Sequence, residues 1–288
     1  MTSKCWQIVF APQSNDNPIL ENFLEEYFSV VAQNYLPNGD IEFVGYVSLE
    51  NFDEENMIKA AMQQGITLPD WKIIELKSEN WLKDYVIEFD AFENDDFCIY
   101  GTHQKTEPQS NKMKLSIYAA TAFGSNHPTT LSCIKALSEL KHQNFEAKNI
   151  LDMGCGSGIL SLCSAKFWKE SQITAADIDE EAIVVTLSNA ERNNLKHQIN
   201  TFCSNGYQNP QIISSAPYDL ILSNILANPL KEFAPNLAQT LKKGGFAIIS
   251  GFVENQFDDV VDIHRSFGLE LIKSYSHDNW RAALLQKV

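Results

Sequence analysis

Apolar and polar positions along the chain change their period more than once. Cys5 to Ala11 alternates and is rich in Ile, Val and Phe, the two-residue period of a half-buried strand. After Asn17-Pro18, the apolar residues Ile19, Leu20, Phe23, Leu24, Tyr27, Phe28 and Val31 recur at helical spacing and predict an amphipathic helix. A short strand near Ala32 to Leu36 follows, then a strand over Ile41 to Val47. A helix opens on an acidic cap and runs over Asp53 to Gln64, and a strand covers Trp71 to Leu76. The resulting order, β-α-β-β-α-β, is a split βαβ arrangement of the kind that forms small binding modules.

Residues 79 to 126 read as a connector with some sheet. Trp81 to Tyr85 suits a short helix, Phe97 to Thr102 and Leu115 to Ala119 suit strands, and Gln104 to Lys112 is polar and turn-like. From His127 onward, strands and helices alternate. Helices are expected at Thr129 to Lys141, Ile159 to Phe167, Glu180 to Asn193, Pro229 to Leu241 and Asn255 to Phe267. Strands are expected at Asn149 to Met153, Ile173 to Ala176, Ile199 to Phe202, Tyr218 to Ser223 and Phe246 to Ser250. Such alternation predicts an α/β domain with a mostly parallel sheet covered on both faces. Leu269 to Tyr275 and Trp280 to Gln286 end it as an antiparallel hairpin, which is not the usual nicotinamide-binding plan.

Length and charge narrow this picture. The 288 residues are about twice the usual domain size, and a charged fraction of 20% beside a hydrophobic fraction of 44% excludes a disordered chain. The net charge of −15 argues against a protein held mainly on nucleic acid phosphates. It is unevenly placed: residues 1–105 hold 6 Lys and Arg against 19 Asp and Glu, and residues 106–288 hold 16 against 18. The acidic half reads either as a solubilising surface or as a docking face for a cation-rich partner. Six scattered cysteines with no C-x-x-C pair suggest buried reduced thiols, without a zinc ribbon or disulfide framework. No stretch approaches the roughly 18 apolar residues of a membrane helix, and Met1 to Gln7 lacks a secretion-signal core, so a cytoplasmic protein is expected.

The candidate chemistry lies at three turns. Asp152-Met-Gly-Cys-Gly-Ser-Gly158 joins a strand to a helix, where glycines let a ligand lie against the backbone. Its G-x-G-x-G spacing, with an Asp just before, suits S-adenosylmethionine better than the G-x-G-x-x-G of a pyrophosphate site. Asp152 either serves the amino acid portion of that ligand or caps the turn itself. Asp177, after the next strand, is placed to accept both ribose hydroxyls of an adenosyl group. Asp179 reads as a helix cap and Asn205 as a candidate for the adenine side. The segment Asp219 to Leu230 leaves a strand at Asn224, whose amide oxygen can face an incoming nitrogen nucleophile, and Pro229 helps to start the next helix. His127, with Pro128 beside it, reads either as approaching the substrate or as part of the loop structure.

Taken together, the pieces closely resemble one family. Ala122-Phe123-Gly124 with His127-Pro128-Thr129-Thr130, Leu151 to Ile159, Asp177-Ile-Asp179, Asn189 to Asn193 and Asn224 to Leu230 look like the catalytic domain of bacterial methyltransferases that modify ribosomal protein L-eleven of the large subunit. The resemblance implies a Rossmann-like class I methyltransferase domain over residues 127–288, a ferredoxin-like domain over 1–78 that recognises the ribosomal protein, and a connector between them. It implies that Thr130, Gly154, Gly156, Asp177 and Asn224 contact S-adenosylmethionine, with Asp152 close by and Phe123 as a wall of the pocket. It also implies that amino groups of the ribosomal protein are methylated, with no metal, no nucleic-acid anchor and no membrane, by a monomer. One departure is the loop between Gly124 and His127, which holds only Ser125 and Asn126 where family members have a longer, glycine-bearing segment. The alternatives are transfer to another protein lysine or small amine, and a non-catalytic module that binds S-adenosylmethionine and ribosomal protein. Adenine methylation is disfavoured because Asn224-Ile-Leu-Ala lacks the Pro-Pro-aromatic turn that stacks a flipped base.

Overall fold

The computed structural model describes residues 5–14, 17–25, 27–28, 30–36, 40–48, 52–75, 89–104, 106–118 and 127–288. The chain falls into two compact units, Met1–Tyr85 and Val86–Val288. In the first, β1 (Cys5–Phe10), α1 (Pro18–Glu25), β2 (Val30–Tyr35), β3 (Ile41–Ser48), α2 (Glu54–Gln64) and β4 (Trp71–Glu75) follow the expected order. The strands form an antiparallel sheet in the order β2-β3-β1-β4. Ile8, Phe10 and Phe43 of the sheet pack with Leu20, Phe23 and Leu24 of α1 and Met57 and Ala61 of α2.

One boundary differs from the periodicity. The helix expected to reach Val31 stops at Glu25, and Val31 instead pairs with Gly45 in the sheet. The backbone N–H groups of Tyr27 and Phe28 both bond to the Leu24 carbonyl and close the helix. Phe28 then lies on Gly45 so closely that a Cβ there would come within 2.5 Å of its ring. The glycine therefore makes room for the aromatic residue that ends the helix. By contrast, α2 ends as its sequence implies, since Asp53 accepts from the Asn56 N–H and Gly65 closes the helix with φ of 68°.

The second unit opens with β5 (Phe92–Glu93), β6 (Phe97–Gly101) and β7 (Met113–Ile117), a three-stranded sheet in which β6 and β7 run parallel. Phe97, Ile99, Leu115 and Ile117 are fully buried and share one core with the helices and sheet that follow. This part of the expected connector is thus built into the second unit's core. The helix expected at Trp81 to Tyr85 lies outside the described residues, as does Phe123.

The remainder contains α3 (Pro128–His142), β8 (Asn149–Met153), α4 (Ile159–Phe167), β9 (Gln172–Asp177), α5 (Glu180–Arg192), β10 (Ile199–Cys203), α6 (Pro210–Ser214), β11 (Tyr218–Asn224), α7 (Ala227–Thr240), β12 (Leu241–Val253), α8 (Phe257–Ser266), β13 (Leu269–His277) and β14 (Trp280–Lys287). Seven strands form one sheet in the order β10-β9-β8-β11-β12-β14-β13. The first five run parallel, and β14 inserts antiparallel between β12 and β13. Leu220, Ile221 and Leu222 of β11 are each 0% exposed because helices cover both faces, which is why the strand reads as an unbroken apolar run. Each such side chain contributes about 1.5–3 kcal/mol by burial. Cys98, Cys133, Cys155 and Cys163 are buried free thiols, as expected, but Cys203 is exposed at the end of β10. Burial pushes the Cys133 thiol up to about 12, which leaves it inert.

Candidate active site

The register of the parallel strands sets three expected residues in a row. Met153 of β8 lies opposite both Ala176 of β9 and Ser223 of β11, so Gly154, Asp177 and Asn224 follow at the same carboxyl edge. With strands about 4.8 Å apart, Asp177 and Asn224 stand roughly 10 Å from one another across Gly154. Open α/β sheets bind ligands at this edge.

The glycine loop is shaped by close approaches. Gly154, Gly156 and Gly158 have φ of 77°, 52° and 77°, values that L side chains rarely adopt. A Cβ on Gly154 would stand 2.1 Å from Cγ2 of Ile225, so this glycine lets the loop pack against the Asn224 turn. The Gly154 and Cys155 N–H groups bond to the Ala176 carbonyl at 2.7 and 3.0 Å. Asp177 holds the loop from the side, accepting from the Gly156 N–H at 2.9 Å through Oδ2 and from the Asp179 N–H at 3.1 Å through Oδ1. Each carboxylate oxygen keeps a second acceptor site.

Asp152 takes the capping role. It is 1% exposed, and its Oδ2 accepts from the N–H and the hydroxyl of Ser161 at 3.0 and 2.6 Å. It thereby satisfies one of the free N–H groups in the first turn of α4, where Gly158 offers no side-chain cap. Burial pushes its carboxyl up to about 6, against the opposing effect of the Ser161 bonds. These bonds tie its Oδ2 to the first turn of α4. Asp179 caps α5 through the Glu181 N–H, as read from the sequence, and Asn205 is exposed beyond β10.

Two buried residues give the loop support that motif reading did not assign. Thr186 donates to the Gly156 carbonyl at 2.9 Å, and its side chain would meet any Cβ on Gly158. Asn189 donates to the Ser157 and Tyr118 carbonyls at 2.8 and 3.0 Å and accepts from the Tyr118 N–H at 2.8 Å. Asn193, one turn on, joins Ser116 in the same two-way fashion. The signal was present as two asparagines four apart on one helix face. Their function depends on a strand more than 70 positions away, which spacing cannot reveal.

On the other side, Asn224 is held from two directions. Its Nδ2 donates to Oγ1 of Thr130 in the first turn of α3 at 3.2 Å, which leaves Oδ1 as the acceptor for a further partner. The Ile225 N–H bonds to the Ser250 carbonyl, and a Cβ on Gly251 would lie 2.1 Å from the Ile225 carbonyl oxygen. Gly251, with φ of 100°, therefore allows the turn to cross β12. Thr130 itself is placed by a helix start in which Pro128 occupies the first turn and His127 supplies the cap, with Nδ1 accepting from the Thr129 N–H. Thus His127 does structural work here.

Together these groups suit an S-adenosyl methyl donor. The loop carries no side chain at positions 154, 156 and 158, Asp177 offers paired acceptors for vicinal hydroxyls, and Asn224 presents an amide oxygen at the far end. No group of three or more His, Cys, Asp or Glu side chains among the described residues could hold a metal ion.

Comparison with known proteins gives the same reading for nearly the whole chain. Residues 9–288 match the profile of the family described as Ribosomal protein L11 methyltransferase (PrmA). A Ribosomal protein L11 methyltransferase of Bradyrhizobium diazoefficiens is 31% identical over 214 residues, covering 74% of this chain and 72% of the relative. One from Brucella suis is 35% identical over 191 residues, 66% of each chain. The crystal structure of a ribosomal protein L11 methylase from Lactobacillus delbrueckii subsp. bulgaricus superposes with a TM-score of 0.62 at 21% identity, covering 69% of this chain and 99% of that one. That likeness agrees with the fold alone, whereas the profile match over residues 9–288 and the relatives lead to one assignment: the chain belongs to the ribosomal protein L11 methyltransferase family.

Proposed function

We propose that this protein transfers methyl groups from S-adenosylmethionine to amino groups of ribosomal protein L11, namely lysine side chains and the N-terminal amine. The observation that carries the reading is the row Asp177, Gly154, Asn224, with the Asn224 amide turned by Thr130 so that its oxygen is the free acceptor. When bound, S-adenosylmethionine supplies an electrophilic methyl on a sulfonium. Asp177 accepts the ribose hydroxyls, the glycine loop lets the ligand approach the backbone, and Thr130 and Asn224 meet the reacting end. Phe123 and Gly156 complete the pocket in this reading.

A lysine must lose its proton before it attacks. With an ordinary pKa near 10.4, neutralising it at pH 7 costs roughly 4–5 kcal/mol, and desolvation beside a positive charge offsets part of that cost. Asn224 Oδ1 accepts an N–H of the amine and aims its lone pair, so the chain contributes positioning and exclusion of water without a dedicated base. Residues 1–78 recognise the ribosomal protein and 127–288 carry the reaction, with β5, β6 and β7 of the intervening stretch packed into the core of the catalytic part. The enzyme acts as a cytoplasmic monomer without a nucleic-acid anchor or a membrane.

Incubation with labelled S-adenosylmethionine and unmodified ribosomal proteins, followed by mass spectrometry, tests this. Label on L11 amines is the expected result. Label confined to another protein or to a small amine overturns the substrate, and binding without transfer favours a non-catalytic module.

A further inference from the structure

The side chain that starts α3 is connected to the amide that aims the nucleophile. His127 Nδ1 accepts from the Thr129 N–H at 3.3 Å and lies 2.8 Å from Thr129 Oγ1. The ring meets Trp280 edge to face, with centroids 4.8 Å apart and planes at 74°, which limits its rotation. The next residue, Thr130, is 4% exposed and receives the Asn224 Nδ2 bond. A single turn of helix thus joins the imidazole to the active-site amide.

We propose that His127 is a positioning residue for methyl transfer: its neutral ring caps α3 and so holds Thr130 where it turns the Asn224 oxygen toward the amine. The proposal rests on the role given to Asn224 above. An imidazole can accept at Nδ1 only when that nitrogen carries no proton. Protonation turns Nδ1 into a donor toward Thr129 Oγ1, so that it no longer accepts from the Thr129 N–H, and puts a positive charge at the positive end of the helix dipole. The cap is then lost, and the first turn carrying Thr130 is free to shift.

The surroundings favour the neutral form. Burial comes first and the nearby His277 second in holding His127 below the ordinary histidine value. Of the elements packed on the ring among the described residues, β13 presents His277, β14 presents the uncharged Trp280, and α3 presents Thr129. A neutral cap therefore persists through neutral pH, and transfer loses this support as pH falls into the acid side of the histidine range.

The lysine substrate also protonates in acid, so a ratio is the informative quantity. Asn is a strong helix cap that does not titrate, and H127N serves as the reference. The ratio of wild-type to H127N transfer is expected to be constant from pH 7 to 9 and to fall as the pH is lowered below the ordinary histidine value. A flat ratio overturns the proposal. At pH 8, H127A should lower transfer about fivefold, the equivalent of losing one cap, with H127N restoring it; equal activity of H127A and wild type also overturns it. A second measurement needs no methyl acceptor: the Asn224 side-chain amide signals in ¹⁵N NMR should move with the His127 titration in the wild type and stay fixed in H127N. If wild type transfers no label, the functional reading fails, yet this co-titration still decides the coupling. Asn224 signals indifferent to His127 would sink the inference by themselves.

Discussion

A side-chain amide has a donor end and an acceptor end, and at Asn224 the protein settles which one faces outward. The Nδ2 group is engaged by Thr130 Oγ1 at 3.2 Å, and the turn behind it is pinned by the Ile225 N–H on the Ser250 carbonyl. An oxygen held this way can discriminate an amine N–H from a group with no donor. Replacement by Ala removes the acceptor, so kcat should drop roughly 10²- to 10³-fold, the usual scale for one preorganised hydrogen-bonding group. Affinity for S-adenosylhomocysteine, measured by calorimetry, should change by less than about tenfold, since Asp177 and the glycine loop remain. Equal losses in both would recast Asn224 as a ligand-holding residue. The position of Asn224 was legible in the sequence because a strand end and the Pro229 helix start bracket it. Its orientation was not, because that depends on Thr130, 94 positions earlier.

At the scale of elements, strands buried on both faces write themselves as apolar runs, which is why β8, β9, β11 and β12 were readable one by one. The end of α1 was not readable, because Tyr27, Phe28 and Val31 extend its apolar stripe while their bonds belong to a turn and a strand. Asp152 shows a related limit: a carboxylate before a glycine loop fits a ligand or a helix cap equally well until its burial is known. Its pKa of about 6 lies above the unfolded value near 3.9, so the folded protein holds this proton more tightly. The stability that results is full below about pH 4 and is lost as pH rises through 6, an effect of about 3 kcal/mol. D152N, which stays neutral and can still accept from the Ser161 N–H, should therefore gain on the wild type by up to about 3 kcal/mol between pH 4 and pH 7 in urea unfolding. A constant difference would mean that Asp152 ionises as freely when folded as when unfolded. Asn189 makes a second case, since it is 0% exposed and joins α5, the glycine loop and the end of β7 with three hydrogen bonds. N189A should cost about 3 kcal/mol at about 1 kcal/mol per bond, with faster hydrogen exchange at the Tyr118 amide. Unchanged exchange at Tyr118 would show that the strand end is held by something else.

Over the whole molecule, the charge is divided as the chemistry would need. Residues 1–105 carry 6 basic against 19 acidic side chains, whereas 106–288 carry 16 against 18, and within the first stretch residues 1–78, the part proposed for recognition, hold 4 against 12, about half of the net −15. Solubility alone gives no reason for the acid to gather at one end. Steering of a lysine-rich protein does, because complementary fields raise association rates and act over about 10 Å at 0.1 M salt. Glu55 and Asp70 are exposed acids of the N-terminal unit, and neither side chain caps a helix. Converting them together to Gln and Asn removes charge with little change in shape. The expected outcome is a lower kcat/KM for the protein substrate, about two- to fivefold at low salt, with the KM for S-adenosylmethionine unchanged. Raising salt to 0.5 M should slow the wild type more than the double variant and bring the two together, since screening removes what the substitution has already removed. If neither salt nor substitution alters kcat/KM, the acidic half serves solubility, and recognition of the ribosomal protein rests on shape and apolar contact.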